Sequence, residues 1–225
     1  MRQHYITTQL PNYTTIFFIT GIHTDAGKTV VSAALQLALD ADYWKPIQAG
    51  DLDFGDTDRV KAWTGAAAER FHPVRHELNT PASPHYAARL DGVDIQLSDF
   101  ELPDTDGRPL IVEGAGGILV PINERETVAD LMVHLGLPVI LVSRHYLGSI
   151  NHTLLSIAHL RGLGVEVAGV IYTGGGGEET VRIVERLTGV VPLWEVPELT
   201  AVDEGALREL VLAVGGRVRE KLGVV

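Results

Sequence analysis

A ten-residue segment near the N-terminus constrains the fold more than any other part of the chain. Residues 20–29 read TGIHTDAGKT, and the apolar run Ile16 to Ile19 precedes them. An apolar run, a glycine-containing loop, Gly-Lys-Thr and a second apolar segment are typical of the strand, loop and helix of a P-loop nucleotide site. Five residues separate Gly21 from the Gly-Lys pair, whereas the strict pattern has four.

The residue types of this loop suit phosphate binding. Gly27 lets the backbone approach a phosphate closely, and the N–H groups at the helix start present partial positive charge to it. Lys28 adds a full charge for the β- and γ-phosphates, and the Thr29 hydroxyl is a ligand for Mg²⁺. The alternative is an ordinary strand-to-helix turn with a solvated lysine, which the strand and helix context disfavours.

Two later apolar runs end in charged residues. Lys45 follows Tyr43-Trp44, and Glu113 follows the run 110–112. Since ligands bind at the carboxyl ends of parallel strands, Lys45 is predicted to face the ligand and Glu113 the magnesium shell. Asp58 is also predicted to face Mg²⁺, although an acidic residue at this helix start can equally be a cap.

The whole chain indicates an α/β protein with a mostly parallel sheet and helices on both faces, because strand-like and helix-like segments alternate. We expect one P-loop NTPase-like domain over residues 1–225, with residues 1–15 as an N-terminal extension. The net charge of −11 and the pI near 5.2 argue against nucleic acid as a partner. No signal peptide or membrane span is visible, so we expect a cytoplasmic protein without a membrane partner.

Nine segments together resemble the dethiobiotin synthetases of biotin biosynthesis. In chain order they are TGIHTDAGKTV, WKPIQAG, DTDRV, ASPH, VEGAGG, LPVILV, LGSINH, AGVIYT and VPLWEVP. The resemblance spans residues 16–199 and includes the longer phosphate loop. It implies ATP-dependent carboxylation and ring closure of 7,8-diaminopelargonic acid with carbon dioxide, through a carbamate and a carbamic-phosphoric anhydride. The expected products are dethiobiotin, ADP and phosphate, the expected ion is Mg²⁺, and the expected assembly is a homodimer.

The resemblance also implies roles for individual residues. Lys45 and Lys28 are the expected catalytic lysines, and Thr29, Asp58 and Glu113 are the expected magnesium ligands. The expected nucleotide contacts are Asp25, Ala26, Gly27, Lys28, Thr29, Val30, Asp58, Glu113, Gly114, Ala115, Gly116, Thr173, Pro197 and Glu204. The expected substrate contacts are Ala49, Ser83 and His85, together with Gly148, Ser149, Ile150 and Asn151 across a dimer interface.

Three residues depart from the family pattern. Ala49 stands where a serine or threonine is usual, which removes a hydroxyl contact to the substrate. Thr173 stands where an asparagine is usual, and a hydroxyl lacks the paired donor and acceptor of an amide. The expected selectivity for adenine is therefore weaker. Trp194 replaces a small residue near the expected base pocket, where it either stacks on the base or packs internally.

Two other classes of protein share parts of this pattern. A regulatory switch ATPase of the MinD/ParA type has a similar phosphate loop, but it carries an extra lysine that Ile22 and His23 do not supply. An amidoligase of the cobyrinic acid type also activates a carboxylate with ATP, but it commonly uses a nucleophilic cysteine. This chain has no cysteine, so the synthetase interpretation is favoured.

Overall fold

The computed structural model describes residues 15–224. The strands are β1 Ile16–Gly21, β2 Asp42–Trp44, β3 Ile47–Ala49, β4 Phe71–His72, β5 His76–Leu78, β6 Leu110–Gly117, β7 Val139–Arg144, β8 Val167–Thr173 and β9 Pro192–Val196. The helices are α1 Lys28–Leu39, α2 Asp56–Thr64, α3 Pro84–Asp91, α4 Val128–Leu135, α5 Ser149–Gly162, α6 Glu178–Thr188 and α7 Glu204–Leu222.

Seven strands form one parallel sheet in the order β4-β2-β6-β1-β7-β8-β9. The central strand β1 is buried on both faces, because its residues alternate between two cores. Phe17 and Ile19 pack in a core with α1 and α7, whereas Ile16 and Phe18 pack in a core with α3 and α4. The predicted fold class, a mostly parallel sheet covered on both faces, is confirmed.

The strand order brings Lys45 and Glu113 together. β6 lies between β1 and β2, with Ile19 paired to Glu113 and Trp44 paired to Val112. Lys45 is the residue after Trp44, so it emerges from the sheet beside Glu113. Both side chains therefore lie next to the phosphate loop, at the edge where parallel sheets bind ligands.

The segment around Lys45 forms two short strands instead of one. Pro46 separates β2 from β3, because it has no N–H group to donate to a strand partner. Its carbonyl oxygen accepts from the backbone N–H groups of Arg75 and His76, at 3.1 and 3.0 Å. The second strand, β3, then pairs with β5 in a separate two-stranded sheet. This change of direction turns residues 47–49 over the carboxyl end of the main sheet.

Some predictions about the whole chain concern residues beyond the described range. The proposed N-terminal extension, residues 1–15, lies outside it except for Thr15, and the domain limits of 1–225 stay a prediction. Within residues 15–224, the helices are all too short or too polar to cross a membrane. The cytoplasmic location stays a prediction.

Candidate active site

Two glycines shape the phosphate loop between β1 and α1. Gly27, the N-cap of α1, has φ = 91°, a backbone conformation that other residues rarely adopt. A Cβ atom at Gly21 would lie 2.7 Å from the carbonyl oxygen of His23, so a larger residue would displace the backbone. The loop leads directly into the first N–H groups of α1, which have no partner within the helix and attract anions.

Lys28 folds back over the loop and is only 6% exposed. Its Nζ donates to the carbonyl oxygen of Thr24 at 2.8 Å and to that of His23 at 3.4 Å. Burial, reinforced by repulsion from Lys45, lowers the pKa of Lys28 to about 8. These hydrogen bonds go to neutral groups, so a bound anion would stabilise the charged form of Lys28.

Five polar side chains form a carboxylate cluster beneath the loop: Thr29, Tyr43, Lys45, Asp56 and Glu113. Thr29 Oγ1 lies 2.9 Å from Glu113 Oε1 and 3.2 Å from Asp56 Oδ1. Lys45 Nζ lies 2.6 Å from Asp56 Oδ2 and 3.2 Å from Glu113 Oε1. The Tyr43 hydroxyl donates to Glu113 Oε2 at 3.0 Å. Each carboxylate of the cluster is therefore hydrogen-bonded.

The electrostatics of the carboxylate cluster favour a charged lysine beside charged carboxylates. Burial by itself lowers the pKa of Lys45, but attraction to Glu113 and Asp56 outweighs it, and the pKa of Lys45 is raised. For Asp56, burial raises the pKa, and the charge and hydrogen bond of Lys45 reverse the effect, so that it is lowered. Burial first and Glu113 second raise the pKa of Tyr43 well above its usual value. Tyr43 is thus a neutral donor to Glu113.

Asp56, and not the predicted Asp58, contacts Thr29 at the end of the phosphate loop. Asp58 Oδ2 accepts the backbone N–H of Gly55 at 3.1 Å, as a capping residue at the start of α2 does. Asp56 instead bonds Thr29 and Lys45. The geometry therefore does not support the prediction for Asp58, and the capping alternative describes its contact.

Three oxygen-bearing side chains of the cluster fit a magnesium ion. The Thr29 hydroxyl and the carboxylates of Asp56 and Glu113 are hard ligands of the type Mg²⁺ prefers. Among residues 15–224, no group of three or more His, Cys, Asp or Glu side chains is arranged to hold a metal. Two carboxylates and a hydroxyl leave positions for phosphate oxygens and water, as is typical of P-loop enzymes.

A cavity of about 710 Å³ connects the phosphate loop, the carboxylate cluster and the loop before α3. The predicted site residues that line it are Asp25, Gly27, Lys28, Thr29, Val30, Lys45, Ala49, Ser83, Glu113, Ala115 and Gly116. Gly114 contributes through its carbonyl oxygen, which accepts from Lys45 Nζ at 3.2 Å. The phosphate loop and the substrate-side residues Ala49 and Ser83 therefore line one cavity.

The cavity-lining residues that sequence reasoning did not assign to the site include Gln48, Asp56, Arg59 and Trp63. Gln48 accepts the backbone N–H of Asp56 at 3.2 Å and thereby fixes the start of α2. Asp56, Arg59 and Trp63 lie on α2 with helical i, i+3, i+7 spacing, and all three line the cavity. That spacing was visible in the sequence, but nothing local indicated which side of α2 faces the ligand.

The chain is similar in sequence to known proteins. A family model described as an AAA domain matches residues 15–206. The ATP-dependent dethiobiotin synthetase BioD of Afipia carboxidovorans is 47% identical over 190 residues, which cover 84% of this chain and 90% of that protein. The protein of the same name from Novosphingobium aromaticivorans is 45% identical, covering 92% of this chain and 98% of its own length. The chain belongs to the dethiobiotin synthetase family.

Solved structures of other proteins share the fold of this dethiobiotin synthetase family member. The MinC:MinD cell division protein complex of Aquifex aeolicus matches 93% of this chain and 96% of the matched one, with a TM-score of 0.59 and 14% identity. The ParA family ATPase of Chlorobium tepidum matches 93% and 97%, with a TM-score of 0.52 and 13% identity. At these identities, the likeness extends to the fold alone.

The nucleotide contacts expected from the dethiobiotin synthetase pattern are only partly at the cavity. The Thr173 hydroxyl donates to the carbonyl oxygen of Ala26 at 2.8 Å and so supports the phosphate loop from behind. Trp194 is 6% exposed and packs in the core, so the packing alternative holds for it. Pro197 is exposed, and Glu204 pairs with Arg208 at 2.9 Å. Neither of these two lines the cavity.

Substrate contacts expected from the family pattern also divide into two groups. Ser83 lines the cavity, and its hydroxyl lies 3.0 Å from Nδ1 of His85, which lines a neighbouring cavity of about 450 Å³. Gly148, Ser149, Ile150 and Asn151 form the N-terminal end of α5 and do not line the active-site cavity. Their expected role concerns a second copy of the chain and stays a prediction.

The lowered pKa of Lys28 leads to a prediction about the pH dependence of nucleotide binding. The phosphates of a bound nucleotide, including those of ADP, raise this pKa, so nucleotide affinity should be fully present below about pH 8 and fall as pH rises through the bound-state value, by up to about tenfold per pH unit. The measurement is calorimetric titration with ADP between about pH 7 and pH 10. Lys28→Met should bind weakly and remove the dependence, whereas a flat wild-type profile would contradict the prediction.

Proposed function

We propose that this chain catalyses the ATP-dependent joining of carbon dioxide to a vicinal diamine, 7,8-diaminopelargonic acid, to form the cyclic urea dethiobiotin. One observation carries the proposal. Lys45 Nζ lies in the same cavity as the phosphate loop and Ser83, and it is paired with two carboxylates next to Thr29. A buried cation at this place can neutralise a carbamate beside a triphosphate, which is the main electrostatic requirement of the reaction.

The triphosphate would be held by the loop and the start of α1. Backbone N–H groups from Asp25 to Val30 and the ammonium group of Lys28 would bind its oxygens. Thr29, Asp56 and Glu113 would hold Mg²⁺, which when bound neutralises phosphate charge. The depressed pKa of Lys28 supports this assignment, because a triphosphate supplies the negative charge that its present partners lack.

The proposed chemistry has two bond-forming steps after the first amine has captured carbon dioxide as a carbamate. The carbamate oxygen attacks the γ-phosphorus, and ADP leaves. The second amine then attacks the activated carbonyl carbon, loses a proton and expels phosphate, which closes the ring. Lys45 would stabilise the negative charge on the carbamate and the transferring phosphoryl oxygens in both steps. Its burial, at 3% exposure, strengthens this interaction because water is largely excluded.

Residues on the opposite side of the cavity would position the diamine. Ser83 offers a hydroxyl group, held by His85, and Ala49 offers only a methyl group where the family usually has a hydroxyl. We assign the carboxylate tail of the substrate to residues 148–151 of a second copy, in a homodimer. The supporting argument is that the N-terminal end of α5 has free backbone N–H groups, which attract a carboxylate.

The test is ring closure measured with labelled bicarbonate. Protein, Mg²⁺ and bicarbonate are mixed with or without diaminopelargonate and with or without ATP, and acid-stable label is measured. Label that appears only when both ATP and the diamine are present would support the proposal. Hydrolysis of ATP at the same rate with and without the diamine, and no stable label, would contradict it and favour the switch ATPase alternative.

A further inference from the structure

We propose that Trp63 is the surface on which the nucleoside base of the bound triphosphate stacks. This inference rests on the proposed function, because it assumes that the phosphate loop holds a nucleotide. Trp63 lines the cavity that contains Lys28 and Thr29, whereas the expected nucleotide contacts Thr173, Pro197 and Glu204 do not. The indole therefore offers an aromatic face for a base that, in this chain, does not meet the amide usual at position 173.

Trp63 lies on the side of α2 that faces the cavity. Asp56, Arg59 and Trp63 form the stripe of this helix that lines the cavity, while Val60 and Thr64, on the adjoining face, are buried. Asp56 contacts Thr29 at the phosphate end. Trp63 lies seven residues further on, which corresponds to about 10 Å at the usual helical rise. A nucleoside follows its triphosphate at a separation of this order.

The indole lies near the first turn of α1 and near the start of α7. Trp63 and Val30 both pack against the edge of the same core, and both line the cavity. Val30 is in the first turn of α1, directly after Thr29, so the indole shares a cavity wall with the end of the phosphate loop. Two residues after Trp63, the chain approaches the start of α7: a Cβ atom at Gly65 would lie 3.4 Å from Glu204 Oε1.

The other side chains considered for binding the base, Thr173 and Trp194, have contacts elsewhere in the fold. The Thr173 hydroxyl already donates to Ala26, and the indole of Trp194 is enclosed in the core. Of the three tryptophans in the chain, Trp44 and Trp194 are buried, at 4% and 6% exposure, while Trp63 is half-buried. Base stacking on an aromatic side chain needs one open ring face, and among these three only Trp63 combines partial exposure with a place in the cavity.

The experiment compares ATP with inorganic tripolyphosphate, which has the phosphates and no base. Trp63→Leu keeps apolar packing but removes the aromatic face, and Trp63→Phe keeps a smaller ring. We expect Trp63→Leu to weaken ATP binding roughly tenfold and Trp63→Phe to weaken it less, while tripolyphosphate binding stays within about twofold of wild type for both. Equal ATP affinity in wild type and Trp63→Leu, or equal losses of ATP and tripolyphosphate, would overturn the proposal.

Intrinsic fluorescence gives a second readout that a purely structural tryptophan would not produce. ATP should change the emission of the wild type and of Trp44→Phe, a control that removes a buried tryptophan outside this cavity. The change should be absent in Trp63→Phe; its persistence there would overturn the proposal.

In turnover assays, Trp63→Leu should raise KM for ATP and leave kcat unchanged. A wild type without ring closure would refute the proposed function while leaving these binding results in place.

Discussion

Replacing Lys45 by methionine should lower the rate of ring closure by at least about a thousandfold, while ADP affinity changes by less than about threefold. The side chain of methionine is similar in length but carries no charge. Lys45 pairs with Asp56 and Glu113, and it does not belong to the loop that surrounds the phosphates. The loss should therefore appear in kcat, measured with labelled bicarbonate at saturating ATP, and not in the calorimetric affinity for ADP.

The matched control for this prediction is Lys61→Met. Lys61 is on the exposed side of α2, with its Nζ 5.4 Å from the ring of Phe71, and it does not line the cavity. Its substitution removes the same charge and should leave turnover within about twofold of wild type. If Lys45→Met retained most of its turnover, Lys45 would be a structural partner of the two carboxylates and not a catalytic group.

The second large effect should separate Asp56 from Asp58. Asp56→Asn should reduce ring closure about a hundredfold or more and raise the Mg²⁺ concentration needed for half-maximal rate, because it removes a charged oxygen beside Thr29 and Lys45. Asp58→Asn keeps an oxygen that can accept the Gly55 N–H, so its rate and thermal midpoint should stay close to wild type. Rates measured over a Mg²⁺ titration compare the two variants directly.

The opposite result would be equally informative about the site. If Asp58→Asn lost activity and Asp56→Asn did not, the start of α2 would have to rearrange when nucleotide and metal bind. Loss of activity in both variants, with an unchanged thermal midpoint for Asp58→Asn, would place both carboxylates at the metal. Either outcome would contradict the assignment based on Asp56 alone.

The phosphate loop, Lys45 and Glu113 could be predicted from the sequence because their positions follow from strand ends. Lys45 directly follows β2, and Glu113 lies within β6 opposite Ile19 near the end of β1, so both lie toward the carboxyl edge of the sheet. The order of the strands then brings β2, β6 and β1 together. The parallel, doubly covered sheet was predictable for the same reason, since buried apolar runs alternate with helical segments.

The choice between Asp56 and Asp58 was not predictable in the same way. Side chains two positions apart on a helix point in directions that differ by about 200°. Only one of Asp56 and Asp58 can therefore face Thr29, and which one does so depends on where the helix starts. That start is set by the irregular loop before it, in which Asp51 has φ = 55° and Gln48 accepts the N–H of Asp56. Neither feature has a clear signature in the sequence.

Thr173 shows a second limit of sequence reasoning. A hydroxyl at the end of a strand is compatible with a ligand contact, and the family pattern indicated a base contact. In the structure it bonds the carbonyl oxygen of Ala26, which is 147 residues away in the chain. No local pattern reports a contact over such a separation, so its role depends on the tertiary packing of β8 against the phosphate loop.

The hydrogen bond from Tyr43 to Glu113 affects how many oxygen atoms Glu113 can supply to a cation bound here. The phenol occupies Oε2, while Thr29 and Lys45 both contact Oε1. Because the pKa of Tyr43 is raised well above its usual value, the phenol keeps its proton and holds that oxygen. This hydrogen bond competes for a lone pair of Oε2, which favours monodentate over chelating ligation by Glu113. With one oxygen each from Thr29, Asp56 and Glu113, an ion with six coordination positions would keep half of them for exchangeable groups, which favours its arrival and departure together with the nucleotide.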